Sequence, residues 1–130
     1  GLIDSQDATI GNPLYDVASL IDDVRIKTNN TFKTSLFKYY LSKKPKIKKQ
    51  EHYLAKRDFS ILSIQRNLKI LGIFVRLYKR DGKPNYLKFL PYTWKLIELR
   101  LDNKIFDNLK RLLNNAVPKK NRNKVNFNAN

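Results

Sequence analysis

The sequence predicts a mainly α-helical fold, and three observations support this prediction. Apolar residues recur at three- and four-residue steps in several segments, which is the spacing of one face of a helix. The longest such pattern covers residues 58–80. Proline, glycine and asparagine stand between the segments, where they break or cap helices. Hydrophobic residues make up 42% of the 130 residues, which is enough for the core of one modest domain.

Each predicted helix has its own start or stop signal. The expected helices cover, in chain order, residues 13–25, 31–43, 58–80, 84–90, a segment opened by Pro91 and a last segment capped by Asp102. Asn29 or Asn30 suits the N-cap of the second helix, and Asp58 suits that of the third. Gly82 ends the third helix. Only a narrow polar stripe interrupts the apolar surface of the third helix, which predicts a central helix packed on several sides.

The remaining segments are predicted to be irregular. Residues 1–4 have the pattern of the end of a short strand, and a basic loop is expected over residues 43–51. His52 is expected to be a solvated loop residue. Residues 118–130 are rich in Lys and Asn, so we expect a basic, disordered tail after a single domain of residues 1–117.

The composition excludes several classes of site. Cysteine is absent, which excludes disulfides, thiol catalysis and Cys-based zinc sites. The single histidine argues against Ser-His-Asp chemistry and His-rich metal sites. No run of 18 or more apolar residues is present, so no membrane span and no membrane partner are expected. The first residues lack the layout of a signal peptide, and we expect a cytoplasmic protein.

The formal net charge of +16 admits two interpretations. One is a basic, all-α nucleic-acid-binding module, supported by the basic segments 43–49 and 119–124 and by Tyr39, Tyr40 and Tyr53 near basic residues. The other is compositional drift towards Lys, Asn and Ile. None of the common nucleic-acid-binding motifs appears, and no specific nucleic-acid partner is expected.

An aspartate directly after an apolar strand end is the first candidate for chemistry. Asp4 follows Leu2 and Ile3, and such a carboxylate is held rigidly. Magnesium prefers a few carboxylates together with phosphate oxygens and water. Asp4 therefore suits a metal that bridges nucleotide phosphates, although an aspartate in a polar loop also serves as a turn former or a cap.

The residues that follow place Asp4 in a longer pattern. The pattern reads Ile3-Asp4-Ser5-Gln6-Asp7-Ala8, then Gly11-Asn12-Pro13, then Tyr15-Asp16-Val17-Ala18. It resembles the aminoglycoside/choline phosphotransferase family, whose fold is similar to that of protein kinases. The segments 65–74, 76–77, 80–84, 86–87 and 90–91 look like one branch of that family, the cell-wall amino-sugar kinases. The resemblance covers about residues 1–115.

The resemblance implies a fold, a reaction and several residue roles. It implies a helical C-terminal-lobe fragment of a protein-kinase-like fold, from an enzyme that uses ATP and magnesium to phosphorylate a hydroxyl of a small substrate, an amino sugar or a related compound. Asp4 corresponds to the magnesium ligand. Asp16 corresponds to a helix carboxylate that braces the catalytic loop. Asp7 matches a position for which substrate contact and loop bracing both remain open.

The sequence departs from the family pattern in two places and lacks part of it. Ser5 replaces an expected aromatic residue, and Asn12 replaces an expected Asp but keeps its turn and capping chemistry. The family's catalytic loop and nucleotide-binding lobe are expected upstream of Gly1. We therefore expect a fragment that is inactive alone, from either an active kinase or a pseudo-kinase.

A polar stripe on the third helix supplies further candidate residues. Gln65, Lys69 and Arg76 follow one line of this helix, and Gly72 interrupts that line. By the resemblance, these three side chains are candidate contacts to the substrate or to the acidic loop. The alternative is that the stripe is only the solvated face of an amphipathic helix.

Overall fold

The structure, a computed structural model, describes residues 11–124, and this part of the chain is helical without strands. Its α-helices are α1 (Leu14–Ile21), α2 (Asn30–Ser42), α3 (His52–Asp81), α4 (Leu90–Arg100), α5 (Asp107–Ala116) and α6 (Lys119–Arg122). Short 3₁₀ helices cover Lys49–Glu51, Pro84–Phe89 and Lys104–Phe106. The predicted mainly α fold class is confirmed. The predicted strand end at residues 1–4 lies outside the described residues.

Local signals set several helix ends as predicted. The side chain of Asn29 accepts a hydrogen bond from the amide of Phe32 at 2.7 Å, which caps α2. Gly82 follows α3 with φ of 62°, a left-handed conformation that glycine adopts without steric cost. Pro91 lies in the first turn of α4, where its missing amide hydrogen costs nothing.

The start of α3 differs from the prediction. The helix begins at His52, so Asp58 lies within it and pairs with Arg57 at 3.2 Å instead of capping the N-terminus. Residues 52–57 contain no glycine or proline, and the preceding 3₁₀ turn leads directly into the helix. His52 is therefore a half-buried helical residue and not a solvated loop residue.

The first helix also ends earlier than predicted. It stops at Ile21, before the pair Asp22 and Asp23. The carboxylate of Asp23 accepts hydrogen bonds from the backbone amide and the guanidinium of Arg25, both of which draw the chain into a turn. Asp22 turns inwards and is completely buried. Side-chain interactions of these two residues thus outweigh the apolar periodicity that continues past Ile21.

The long helix α3 is central, as predicted, and packs against both α1 and α4. Its main core cluster consists of buried apolar residues from α3, α4 and the neighbouring segments: Val24, Ile64, Leu71, Phe74, Leu87, Leu90, Leu96, Ile97, Leu101 and Phe106. A smaller cluster joins α1 to the first half of α3 through Ala18, Ile21 and Phe59. Each such large side chain contributes roughly 1.5–3 kcal/mol when fully buried. These contacts hold the helices on either side of α3.

Residues 118–124 were expected to be disordered, but they include helix α6, whose last residue, Arg122, packs against the rest of the fold. Arg122 is 4% exposed and donates hydrogen bonds to the carbonyl of Val117, the carboxylate of Glu98 and the amide oxygen of Asn114, at 2.7–2.9 Å. Its guanidinium lies 4.5 Å from the centre of the Trp94 ring. The planar guanidinium is held here because three acceptors accept its hydrogen bonds and an aromatic ring packs on its face.

Substitution of Arg122 tests this docking. Arg122→Ala should lower the free energy of unfolding by about 1–3 kcal/mol, because three charge-assisted hydrogen bonds and an aromatic contact are lost. Urea unfolding followed by circular dichroism measures this. Lys120→Ala, an exposed position on the same helix, is the matched control and should change stability by less than about 0.5 kcal/mol. Equal effects of the two substitutions would contradict the docking of α6.

Candidate functional site

The most constrained polar group in the described chain is the carboxylate of Asp22. Arg100 donates to both of its oxygens, from Nε and Nη2, at 2.8 Å each. The hydroxyl of Ser63 donates to Oδ2 at 2.5 Å. Lys33 Nζ lies 3.4 Å from Oδ1 and donates to the carbonyl of Ile21 at 2.6 Å. Asp22 therefore connects the end of α1 to α2, α3 and α4.

The charges of this cluster favour the ionised carboxylate. Burial raises the pKa of Asp22, but the hydrogen bonds and charge of Arg100, followed by Ser63 and Lys33, outweigh burial and hold the pKa below its ordinary value. Two cationic side chains meet one carboxylate here, so the cluster as a whole carries a positive charge. Lys33 is 2% exposed, and the carbonyl of Ile21 and the carboxylate of Asp22 lie within reach of its buried Nζ.

Aromatic rings and a second polar side chain surround the cluster. The Arg100 guanidinium lies 4.8 Å from the centre of the Phe59 ring, and Lys33 Nζ lies 5.9 Å from that of Tyr92. The amide nitrogen of Asn67 donates to the hydroxyl of Ser63 at 3.4 Å. The cations are thus enclosed on sides that the carboxylate does not face.

A pocket of about 360 Å³ opens beside this cluster, between α2, the first turns of α3 and the end of α4. The rings of Phe37 and Phe59, with centres 4.7 Å apart and planes tilted by 39°, form part of its apolar lining. Cationic side chains form much of the rest: Lys33, Lys38, Lys56 and Arg100. Among the described residues that line the pocket, Asp102 carries the only carboxylate. The pocket therefore combines ring surfaces with positive charge.

The acidic residues predicted from the motif are placed only in part. Asp4 and Asp7 lie outside residues 11–124. Asp16 is exposed in the first turn of α1, where its charge complements the helix dipole, and its side chain bonds to no other described residue. Asn12 accepts a hydrogen bond from the amide of Leu14 at 3.0 Å, so it keeps the capping chemistry expected of it. The proposed role of Asp16 stays a prediction.

The polar stripe on α3 does not reach the pocket. Gln65, Lys69 and Arg76 are exposed, and none of them lines it. Within the described chain, Gln65 and Lys69 form no hydrogen bond or ion pair. No described atom outside the local helix lies within 4 Å of where a Cβ of Gly72 would be, so the expected close approach at this glycine is not seen in residues 11–124. The position of the stripe relative to Asp4 stays a prediction.

The sequence did not identify the residues of the buried cluster as a site. One pattern could have indicated the cluster: three small polar residues recur at helical spacing on the face of α3 that is buried, namely Ser60, Ser63 and Asn67. Small polar residues on the core face of a central helix indicate a buried polar partner. That partner is Asp22, which the sequence placed in the last turns of an ordinary helix.

Two further kinds of site are absent from the part of the chain that the structure describes. No group of three or more Asp, Glu, His or Cys side chains in residues 11–124 could hold a metal ion. In the same range, no helix has the length and apolar composition needed to cross a membrane.

The Asp22 cluster makes a prediction about pH. Because folding lowers the pKa of Asp22, its ionised form stabilises the fold above about pH 4, near the unfolded value, and this contribution is lost as the pH falls through the lower folded value. Asp22→Asn should cost about 3–5 kcal/mol at neutral pH, since it leaves two cations without their counter-ion. Its stability should also lose this acid-dependent component. Urea unfolding between about pH 7 and pH 2 measures both effects.

Asp102→Asn is the matched control for this experiment. Asp102 is exposed and forms no ion pair with any described residue, so its substitution should leave both the stability and its pH dependence close to those of the unmodified chain. A small loss of stability in Asp22→Asn with an unchanged acid transition would show that Asp22 does not control the packing of these helices.

Comparison with known proteins gives relatives of one kind, although no family model matches the chain. A protein from Caulobacter vibrioides is 30% identical over 118 residues, 91% of this chain and 32% of the relative. One from Neisseria meningitidis is 36% identical over 96 residues, which cover 70% of this chain and 28% of that relative. One from Pseudomonas aeruginosa is 33% identical over 103 residues, which cover 75% of this chain and 30% of that relative.

All three proteins are named N-acetylmuramate/N-acetylglucosamine kinase. The chain spans about a third of the length of these curated relatives. The similarity to amino-sugar kinases that the motifs predicted is therefore confirmed by these relatives, over most of this chain and over a minor part of each relative.

Proposed function

We propose that this chain is the C-terminal part of an ATP- and magnesium-dependent phosphotransferase that acts on a hydroxyl of an amino sugar. The observation that carries the proposal is the match of 91% of the chain to a kinase named for N-acetylmuramate and N-acetylglucosamine. The motif around Asp4 and Asp16 supports it, because the two carboxylates stand in the order and spacing of the phosphotransferase pattern.

In this proposal the acidic residues near the start of the chain have distinct roles. Asp4 supplies a ligand to the magnesium ion, which neutralises charge on the transferring phosphate when it is bound. Asp16 accepts hydrogen bonds from the catalytic loop and fixes its position. Asp7 contacts the substrate or the same loop. The described residues offer no alternative metal centre, and the exposure of Asp16 leaves its carboxylate accessible to such a loop.

The helices of the described chain provide the scaffold for this chemistry. Phosphoryl transfer depends mainly on positioning and electrostatic stabilisation, so a rigid support for the acidic loop is itself a catalytic requirement. The Asp22 cluster fixes the end of α1 against three other helices, and Asp16 is carried by the same short helix. The residue that activates the sugar hydroxyl belongs to the catalytic loop expected upstream, so the chain alone should be inactive.

A basic nucleic-acid-binding module is the second candidate, and one observation favours it. Tyr39 and Tyr53 are 63% and 70% exposed, and Lys43 lies over the Tyr39 ring at 5.4 Å. Exposed aromatic rings beside cations suit the stacking of single-stranded bases. Binding that is sequence-selective and survives physiological salt would favour this candidate over the phosphotransferase.

A chimaera tests the proposed function. The segment of the Caulobacter vibrioides relative that matches this chain is replaced by the chain itself. The chimaera should phosphorylate N-acetylmuramate or N-acetylglucosamine with ATP and magnesium, and Asp4→Asn should reduce kcat by roughly 100-fold or more with little change in Tm. A coupled assay of ADP release measures this, with the 130-residue chain alone as the negative control. A folded chimaera without turnover, or near-normal turnover of Asp4→Asn, would contradict the proposal.

The role of Asp16 requires a separate readout in the same chimaera. Asp16→Ala should lower both the Tm and kcat, because the catalytic loop loses its brace, while the magnesium concentration for half-maximal rate stays unchanged. Ser19→Ala, on the same helix, removes a hydroxyl whose one bond within residues 11–124 is to the carbonyl of Tyr15, and it should leave kcat unaltered. An unchanged Tm with a raised magnesium requirement would identify Asp16 as a metal ligand instead.

A further inference from the structure

We propose that the pocket between α2, α3 and α4 binds the carboxylate-bearing form of the amino sugar, and that Lys38 and Lys56 recognise its carboxylate. The inference rests on the proposed function, because it names the substrate class that this part of the protein selects. It concerns residues outside the acidic motif, and outside the polar stripe on α3.

The free positive charge of the pocket comes from two lysines on different helices. Lys33 and Arg100 are neutralised in part by Asp22, whereas Lys38 on α2 and Lys56 on α3 form no ion pair or hydrogen bond within the described chain. Both lysines are exposed and line the same pocket. Two unpaired ammonium groups beside a pocket that also has an apolar lining attract a ligand that carries an anionic group.

Fixed polar groups lie deeper in the pocket. Arg100 uses Nε and Nη2 to bind Asp22, which immobilises the guanidinium while Nη1 makes no hydrogen bond to a described residue. Ser60 is 6% exposed and lines the pocket, and its hydroxyl bonds to no other side chain or backbone group in residues 11–124. This hydroxyl is therefore free to donate to or accept from a ligand in the pocket.

The apolar lining suits a ring of the size of one sugar. The half-buried ring of Phe37 offers a surface for the C–H face of a pyranose, and the buried Phe59 ring packs against it with ring centres 4.7 Å apart. The volume of about 360 Å³ falls within the range of roughly 300–1,000 Å³ in which small-molecule sites occur. Ring surfaces, a hydroxyl partner and peripheral cations together match a hexosamine with an acidic substituent.

The two sugars in the relatives' names differ in this one feature. N-acetylmuramate carries a lactyl ether with a carboxylate, whereas N-acetylglucosamine has a neutral hydroxyl at the same carbon. Both share the ring and the acetamido group. If the pocket holds the sugar, Lys38 and Lys56 contribute to the binding of the first sugar and not to that of the second.

Binding to the 130-residue chain tests the inference without any turnover. In a ¹H–¹⁵N NMR titration, N-acetylmuramate should shift amides of α2 and of the first turns of α3, with a Kd roughly tenfold below that of N-acetylglucosamine. The double variant K38Q/K56Q should abolish this difference. K104Q/K110Q removes the same charge from exposed positions that do not line the pocket, and it should preserve the difference. Spectral dispersion checks that each variant is folded.

Several outcomes would overturn the inference. Competition by lactate or inorganic phosphate for the same amides, with an affinity equal to that of N-acetylmuramate, would reveal a general anion site without sugar recognition. If K38Q/K56Q and K104Q/K110Q lose affinity for N-acetylmuramate equally, the binding comes from the overall charge of the chain. In a further outcome, the chimaera turns over both sugars while its K38Q/K56Q variant keeps the same ratio of the two KM values. That result would refute the role of the pocket but keep the proposed function. A folded chimaera that binds N-acetylmuramate selectively but does not phosphorylate either sugar would support the proposed pocket and refute the proposed function.

Discussion

The fold depends on the burial of one carboxylate. Asp22 is withdrawn from water, and such a group is tolerated only when its charge and hydrogen bonds are matched. Asp22 directly follows α1 and its partners come from three other helices, so α1, α2, α3 and α4 must meet at one point. Apolar side chains permit some sliding between helices, but the two-point contact with Arg100 fixes both distance and orientation. The cluster therefore specifies the arrangement that the apolar core stabilises.

The same cluster determines the character of the neighbouring pocket. Lys33 and Arg100 serve the fold through Asp22 and the pocket through the surfaces that they line. Because both side chains are held by fixed acceptors, the polar lining is organised before any ligand arrives, which lowers the entropic cost of binding. The contact of Arg100 with Phe59 also joins the polar lining to the apolar lining. Packing and the proposed recognition thus share one set of interactions.

Sequence patterns identified the structures that depend on near neighbours. Asn29 caps the amide three residues later, and Gly82 ends α3 through its own backbone conformation. The early end of α1 could not be predicted in the same way, because the partners of Asp22 lie 41 and 78 residues further along the chain. The docking of Arg122 likewise depends on an acceptor in α4, Glu98, which its own segment does not reveal. For the acidic motif, sequence similarity indicated a role, while Asp4 and Asp7 lie outside the described residues.

The distribution of cations bears on function more directly than their number does. A net charge of +16 by itself suits a partner with many negative charges. The structure divides these cations into different groups. Lys33, Arg100 and Arg122 are bound to acceptors and belong to the fold. Lys38 and Lys56 remain without ion pairs in the described chain, at a pocket with aromatic walls. The proposed ligand, with one ring and one negative charge, matches two cations at one pocket, whereas an extended polyanion would contact cations spread along a surface.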